Sequence, residues 1–215
     1  MLKTRFLFAL VLTLSLAIST TPSFAEDFGK KAETFIQTMA DKAMATYRSD
    51  KDEKELELEF RNLLNEDFDV RAIGKWVLGR YWRKATDSEK EEYLKLFEDF
   101  IIVTYANRFK DYSGTDITLN VTESLTKNDQ DAIVRSQIIR PETAEPILVD
   151  WRVKGNKNDE LKIVDVLIAG VSMSQTQRSE FASVIKRNGG EVAGLIDALR
   201  SKTTQLVSNV NKAAN

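Results

Sequence analysis

The chain has 215 residues, no cysteine, no histidine, 31 Lys and Arg against 33 Asp and Glu, and a formal net charge of −2. Without Cys and His it can form no disulfide and no Ser-His-Asp or Cys-His site, and ordinary zinc sites are all but excluded. No cofactor and no metal is expected, enzyme chemistry is left with carboxylate pairs or a Ser-Lys arrangement, and the slightly acidic balance lacks the positive footprint of a nucleic-acid binder.

Residues 1–25 have the form of an export signal. Lys3 and Arg5 precede the apolar run FLFALVLTLSLAI (Phe6–Ile18), and Ser23 and Ala25 are the small residues a signal peptidase inspects. Cleavage is expected after Ala25. The run is shorter than the roughly 20 residues of a spanning helix. The expectation is therefore one exported, soluble domain, Glu26–Asn215, whose net charge becomes −4 once Lys3 and Arg5 are removed.

Helical spacing comes first in that domain. Ala32, Phe35, Ile36, Met39, Ala40, Ala43, Met44 and Tyr47 follow the i, i+3, i+4, i+7 pattern of an amphipathic helix. A second helix opens in the charged stretch Asp50–Phe60. A third covers Phe68–Leu78 with Ile73, Trp76 and Val77 turned inward, and Gly79 stops it before RYWRK (Arg80–Lys84). Thr86 followed by Glu89 is a capping box, which predicts a long helix from there to about Tyr112, closed by Ser113-Gly114. Its charges Glu91, Glu92, Lys95, Glu98 and Asp99 read as a solvated face.

After Gly114 the period changes to two. ITLNV (Ile117–Val121), DAIVRSQIIR (Asp131–Arg140), ILVDWRV (Ile147–Val153) and LKIVDVLIA (Leu161–Ala169) predict four strands. The short connections between them favour an antiparallel meander. The fourth strand is apolar on both faces, as a strand covered on both sides would be. A second capping box, Ser174 to Gln177, leads a helix that ends at Asn188-Gly189-Gly190, and a last helix carries Val192, Leu195, Ile196, Leu199 and Leu206. The fold class is α+β: a four-stranded antiparallel meander packed against helices from both ends of the chain.

Between the sheet and the long helix there is an apolar excess. Phe97, Ile101 and Tyr105 face a strand that presents Val149, Trp151 and Val153. Periodicity leaves two readings open, a dry core or an apolar cavity. Asp165 within IVDVLI is either structural, paired with Arg or capping a turn, or functional. RYWRK is either a solvated loop over a tucked aromatic or a phosphate contact through Arg80, Arg83 and Lys84.

Two blocks carry a family resemblance. Val77–Phe109 (VLGRYWRKATDSEKEEYLKLFEDFIIVTYANRF) and Val164–Lys202 (VDVLIAGVSMSQTQRSEFASVIKRNGGEVAGLIDALRSK) together resemble the MlaC-type, or toluene-tolerance, proteins. The matching parts are Asp165-Val166, the turn Gly170-Val171-Ser172-Met173, Arg178, Glu180-Phe181 and Gly189-Gly190. Ala169 departs from the acidic residue the family often has there. The resemblance implies a twisted antiparallel sheet wrapped by helices around a deep apolar cavity. It also implies a periplasmic carrier of phospholipid between an inner-membrane ABC lipid transporter complex and an outer-membrane lipoprotein complex. On that reading Trp76, Phe97, Ile101, Tyr105, Val149, Trp151, Val153, Val166 and Ile168 meet the acyl chains, and Arg80 and Arg83 meet the headgroup. A hopanoid-associated branch, a docking module that carries nothing, and an enzyme using Asp165 are the alternatives.

Overall fold

The computed structural model describes residues 24–48, 51–110, 117–141, 143, 145–156, 158 and 160–213. The apolar run of the signal and the Ser113-Gly114 stop lie outside the described residues. The order is α1 (Phe24–Tyr47), α2 (Glu53–Asp67), α3 (Val70–Leu78), a 3-10 turn (Gly79–Arg83), α4 (Asp87–Lys110), β1 (Thr118–Asn128), β2 (Asp131–Ile139), β3 (Ile147–Gly155), β4 (Leu161–Ile168), β5 (Val171–Ser172), α5 (Met173–Arg187) and α6 (Val192–Ala213).

Polar caps set most of the helix starts. The Asp52 carboxylate accepts from the Glu55 amide while Glu55 reaches back to the Asp52 amide, and Thr86 and Glu89 do the same for α4. Asp69 accepts from the Ala72 amide at the head of α3. The cap of α5 is Ser172, two residues before the expected Ser174, because the Ser172 hydroxyl accepts from the Gln175 amide.

The sheet is an antiparallel meander in the order β1-β2-β3-β4-β5, with five strands where four are predicted. The fifth is only Val171-Ser172, paired to Leu167 and Ile168, too short to leave a periodic signal. Within the β3–β4 pair Arg152 faces Asp165 and Val153 faces Ile163, so Val164 is an extra, bulged residue. Side chains alternate faces with a period of two, so one inserted residue moves everything after it to the other face. Ile163 before the bulge, and Val166 and Ile168 after it, therefore share the concave side. A rephased strand accounts for the two-sided apolar pattern of LKIVDVLI.

Two buried clusters result. One lies among helices: Val77, Leu78, Tyr81, Tyr93, Leu94, Phe97, Phe181, Ile185, Leu195 and Leu199. Phe181 meets Tyr93 and Phe97 edge-on, with ring centroids 6.3 and 6.2 Å apart. The Tyr93 phenol donates to the Gly74 carbonyl at 2.9 Å, and burial pushes its pKa far above the ordinary tyrosine value. Gly74 is where α3 touches α4: a Cβ there would lie 2.9 Å from Leu94 and 3.0 Å from Phe97. The second cluster lies between α1 and the sheet and contains Phe28, Ala32, Ile36, Ala132, Val134, Val153 and Ile163.

The charged face of α4 is exposed at Glu91, Glu92 and Lys95 and half-buried at Glu98 and Asp99, and it carries ion pairs to other helices. Arg61 of α2 donates to Glu98 at 3.1 Å and Asp99 at 3.0 Å, Arg71 of α3 pairs with Glu91, and Arg200 of α6 pairs with Glu92. Each such pair is worth little; they link α4 to three other helices around the apolar contacts of Tyr93, Leu94 and Phe97.

Candidate functional site

Between the two clusters lies a cavity of ≈ 280 Å³. Its floor is the concave face of the sheet: Leu119, Ile138, Val149, Trp151, Val166 and Ile168. Its roof is Ala43 and Met44 of α1, Phe60 and Leu63 of α2, Ile73 and Val77 of α3, and Phe97, Ile101 and Tyr105 of α4. Bulky side chains on both surfaces hold the helices off the strands.

The few polar groups in the wall are already engaged with protein. The Trp151 indole N–H donates to Ser136 Oγ at 2.9 Å, and that hydroxyl donates to the Val149 carbonyl at 2.9 Å. The ring is thereby fixed, and its apolar surface is left for the cavity. Asp165 accepts from Ser172 Oγ at 2.6 Å, from Ser174 Oγ at 2.6 Å and from the Ser174 amide at 3.2 Å. Its carboxylate therefore sits at the N-terminus of α5, where exposed amides and the helix dipole favour a negative charge. Of the two readings left open for Asp165, the geometry is that of a cap.

Of the residues expected to meet acyl chains, Phe97, Ile101, Tyr105, Val149, Trp151, Val166 and Ile168 stand together in this wall. Val153 does not. It lies on the same sheet face but is fully buried in the second cluster, where Ala32 and Ile36 of α1 come down onto the sheet. Trp76 does not turn inward either: it is 44 % exposed and lies under the guanidinium of Arg178. The inward face of α3 is Ile73, Gly74, Val77 and Leu78, with Gly74 closest to α4. Arg80 and Arg83, expected near a headgroup, are exposed and absent from the cavity wall.

Sequence reasoning did not single out Leu119, Ile138, or the α1 and α2 residues of the wall. Their helical or alternating spacing was visible, but it could not tell contact with protein from contact with a void. A wider groove of ≈ 800 Å³ runs over α3 and the outer side of β3 and β4. Its walls mix apolar residues with charged ones such as Glu91, paired with Arg71, and Arg152, paired with Asp131 outside the groove, so it is a mixed open groove and not a rival apolar site.

The profile of the family described as MlaC protein matches residues 34–201. The intermembrane phospholipid transport system binding protein MlaC of Haemophilus influenzae is 31 % identical over 150 residues, which cover 69 % of this chain and 66 % of that protein. The toluene tolerance protein ttg2D of Pseudomonas putida is 22 % identical over 136 residues, covering 63 % and 61 % respectively. The chain thus spans somewhat less than two thirds of the length of these curated relatives. Among solved structures, the phospholipid-binding protein of Ralstonia solanacearum, determined in complex with a phospholipid, superposes with a TM-score of 0.69 at 26 % identity. That match covers 82 % of this chain and 98 % of the other.

Proposed function

The chain belongs to the MlaC family, and from that premise we propose that it is a periplasmic phospholipid-binding carrier. Acyl chains occupy the cavity between sheet and helices, and lipid passes between an inner-membrane ABC lipid transporter complex and an outer-membrane lipoprotein complex with no chemical step. The observation that carries this reading is the cavity wall itself. It is aliphatic and aromatic nearly throughout, and its polar members are satisfied by protein. A site of that kind offers hydrocarbon chains a place out of water at about 0.8 kcal/mol per methylene and offers a reacting polar substrate nothing. No described helix is long and apolar enough to cross a membrane.

At ≈ 280 Å³ the cavity lies just under the roughly 300–1,000 Å³ of ordinary ligand pockets, so loading a two-chain lipid widens it. The test is transfer of a fluorescent phospholipid between vesicles. Wild-type protein should accelerate transfer, and Ile101→Asp, which places a charge in the wall, should lower the rate at least about tenfold while the fold persists. Transfer by a folded Ile101→Asp variant at the wild-type rate would remove the cavity from the mechanism.

A further inference from the structure

On the face formed by α3, the turn Gly79–Arg83 and α5, three cations converge on one small pocket. Arg80, Arg178 and Lys186 line it with Tyr81, and no carboxylate does. Arg178 and Lys186 lie two α5 turns apart on one stripe, so they point the same way. Two of the three cations are held in place. The Arg178 guanidinium carbon stands 4.8 Å from the centre of a Trp76 ring. Its other neighbour is Gly79, whose φ of +58° and bare Cα leave the space: a Cβ there would lie 2.9–3.0 Å from the guanidinium. Arg80 lies 4.9 Å over the Tyr81 ring and donates to the Tyr81 hydroxyl at 3.0 Å. Stacking occupies guanidinium faces and leaves N–H edges for an anion. Arg80, Arg178 and Lys186 form no ion pair among the described residues, whereas Arg61, Arg71, Arg135, Arg152 and Arg200 all do.

We propose that this pocket is a phosphate site by which the protein docks on an anionic membrane surface, separate from the cavity for the carried lipid. Forked donors with no competing carboxylate suit a phosphate ester. What surrounds the pocket favours a lipid surface over a protein partner. Trp76 is exposed beside it, and the half-buried Trp82 has Lys75 and Lys90 each 5.8 Å from its ring, Lys90 being also paired with Asp87 at 2.9 Å. Tryptophans flanked by lysines are the residues that settle at headgroup level. Of the large apolar side chains exposed among the described residues, Trp76 alone belongs to this face; the others are on α2 and the sheet. A protein partner needs a broader patch with a desolvated apolar centre. Three cations in a pocket whose lining has no carboxylate also draw this face toward an anionic surface.

Flotation with vesicles of phosphatidylcholine, with and without phosphatidylglycerol, tests this. The purified protein should bind the anionic vesicles, release them as salt rises, and ignore the neutral ones. Combining Arg80→Gln, Arg178→Gln and Lys186→Gln should weaken binding roughly 100-fold, the worth of three cations near such a surface. Lipid carried by the triple variant, read by native mass spectrometry, should match wild type, so that failure of the dock and failure of the carrier reading are told apart. If the triple variant does not fold, Lys186→Gln alone, at an exposed side chain, should still lose about fivefold. Equal binding to neutral vesicles, or full binding by these variants, would overturn the proposal. So would inorganic phosphate in the pocket, or capture of an acidic protein, without vesicle binding.

Discussion

The concave face of the sheet has two ends that are closed differently. At the Val153 end, small and medium side chains of α1, Ala32 and Ile36, lie directly on Ala132, Val153 and Ile163, and all five are buried completely. At the Val149 end the same strands meet Phe60, Phe97, Ile101 and Tyr105, and a cavity remains. Both ends are apolar, and both obey the alternation of the strands. What differs is what lies opposite. At the closed end α1 alone comes down onto the sheet through Ala32 and Ile36. At the open end rings and long aliphatics of α2 and α4 stand over the sheet beside Ala43 and Met44 of α1 and prop the roof up. The site is thus made by bulk, with no special chemistry.

That comparison can be broken by truncation. Ile163→Ala, at the closed end, should cost about 2–5 kcal/mol, because it opens a void where there is none. Gly74→Ala forces a methyl group between α3 and α4 and should cost about 1–3 kcal/mol, read by denaturant unfolding. Asp165→Ala removes the acceptor at the start of α5 and should cost about 1–2 kcal/mol while lipid loading is retained. Folded protein that lost its function only through Asp165 would instead favour chemistry at that carboxylate. Ile101→Ala, at the open end, should cost less than about 1 kcal/mol, since the void exists already. A cost equal to that of Ile163→Ala would erase the distinction between the two ends.

The smallest effect belongs to pH. Burial works to raise the pKa of Asp131, but the two hydrogen bonds from Arg152 and the charges of Arg152 and Lys154 outweigh it and hold the carboxyl below the ordinary Asp value of 3.8. A depressed carboxylate contributes stability that is full above the unfolded value and is lost as pH falls through the folded one. The stability gap between wild type and Asp131→Asn should therefore be constant from neutral pH to about pH 5 and close below about pH 4. A gap that widened in acid would contradict the assignment.

Much of the fold was legible because local rules agree with it. The Thr86–Glu89 box starts α4, Gly79 ends α3, alternation marks β1 to β3, and an apolar run marks β4. The misses have physical causes. Two residues of β5 cannot show a period. Of Ile73, Trp76 and Val77, expected inward on α3, Ile73 and Val77 do face the cavity but Trp76 does not, and the close contact with α4 is made by Gly74, which carries no hydrophobic signal. Val153 had the right parity, but the helix above it decides whether there is space. Glu91, Glu92 and Lys95 of α4 are exposed, as expected, but the arginine partners of the α4 carboxylates are distant in sequence and leave no local signal. For the RYWRK cluster the sequence leaves a phosphate contact and a tucked aromatic both open, and the turn does bury Tyr81. Its cationic partners on α5 become visible only when the chain is folded.

The most direct measurement is native mass spectrometry of protein purified without detergent, with extraction and identification of whatever is bound. The account predicts a stoichiometric phospholipid adduct on wild type, its loss in Ile101→Asp, and its retention in Asp165→Ala. Protein that carries no lipid, and takes none up from vesicles, would contradict it and leave the space between Trp151 and Ile101 an imperfection of packing.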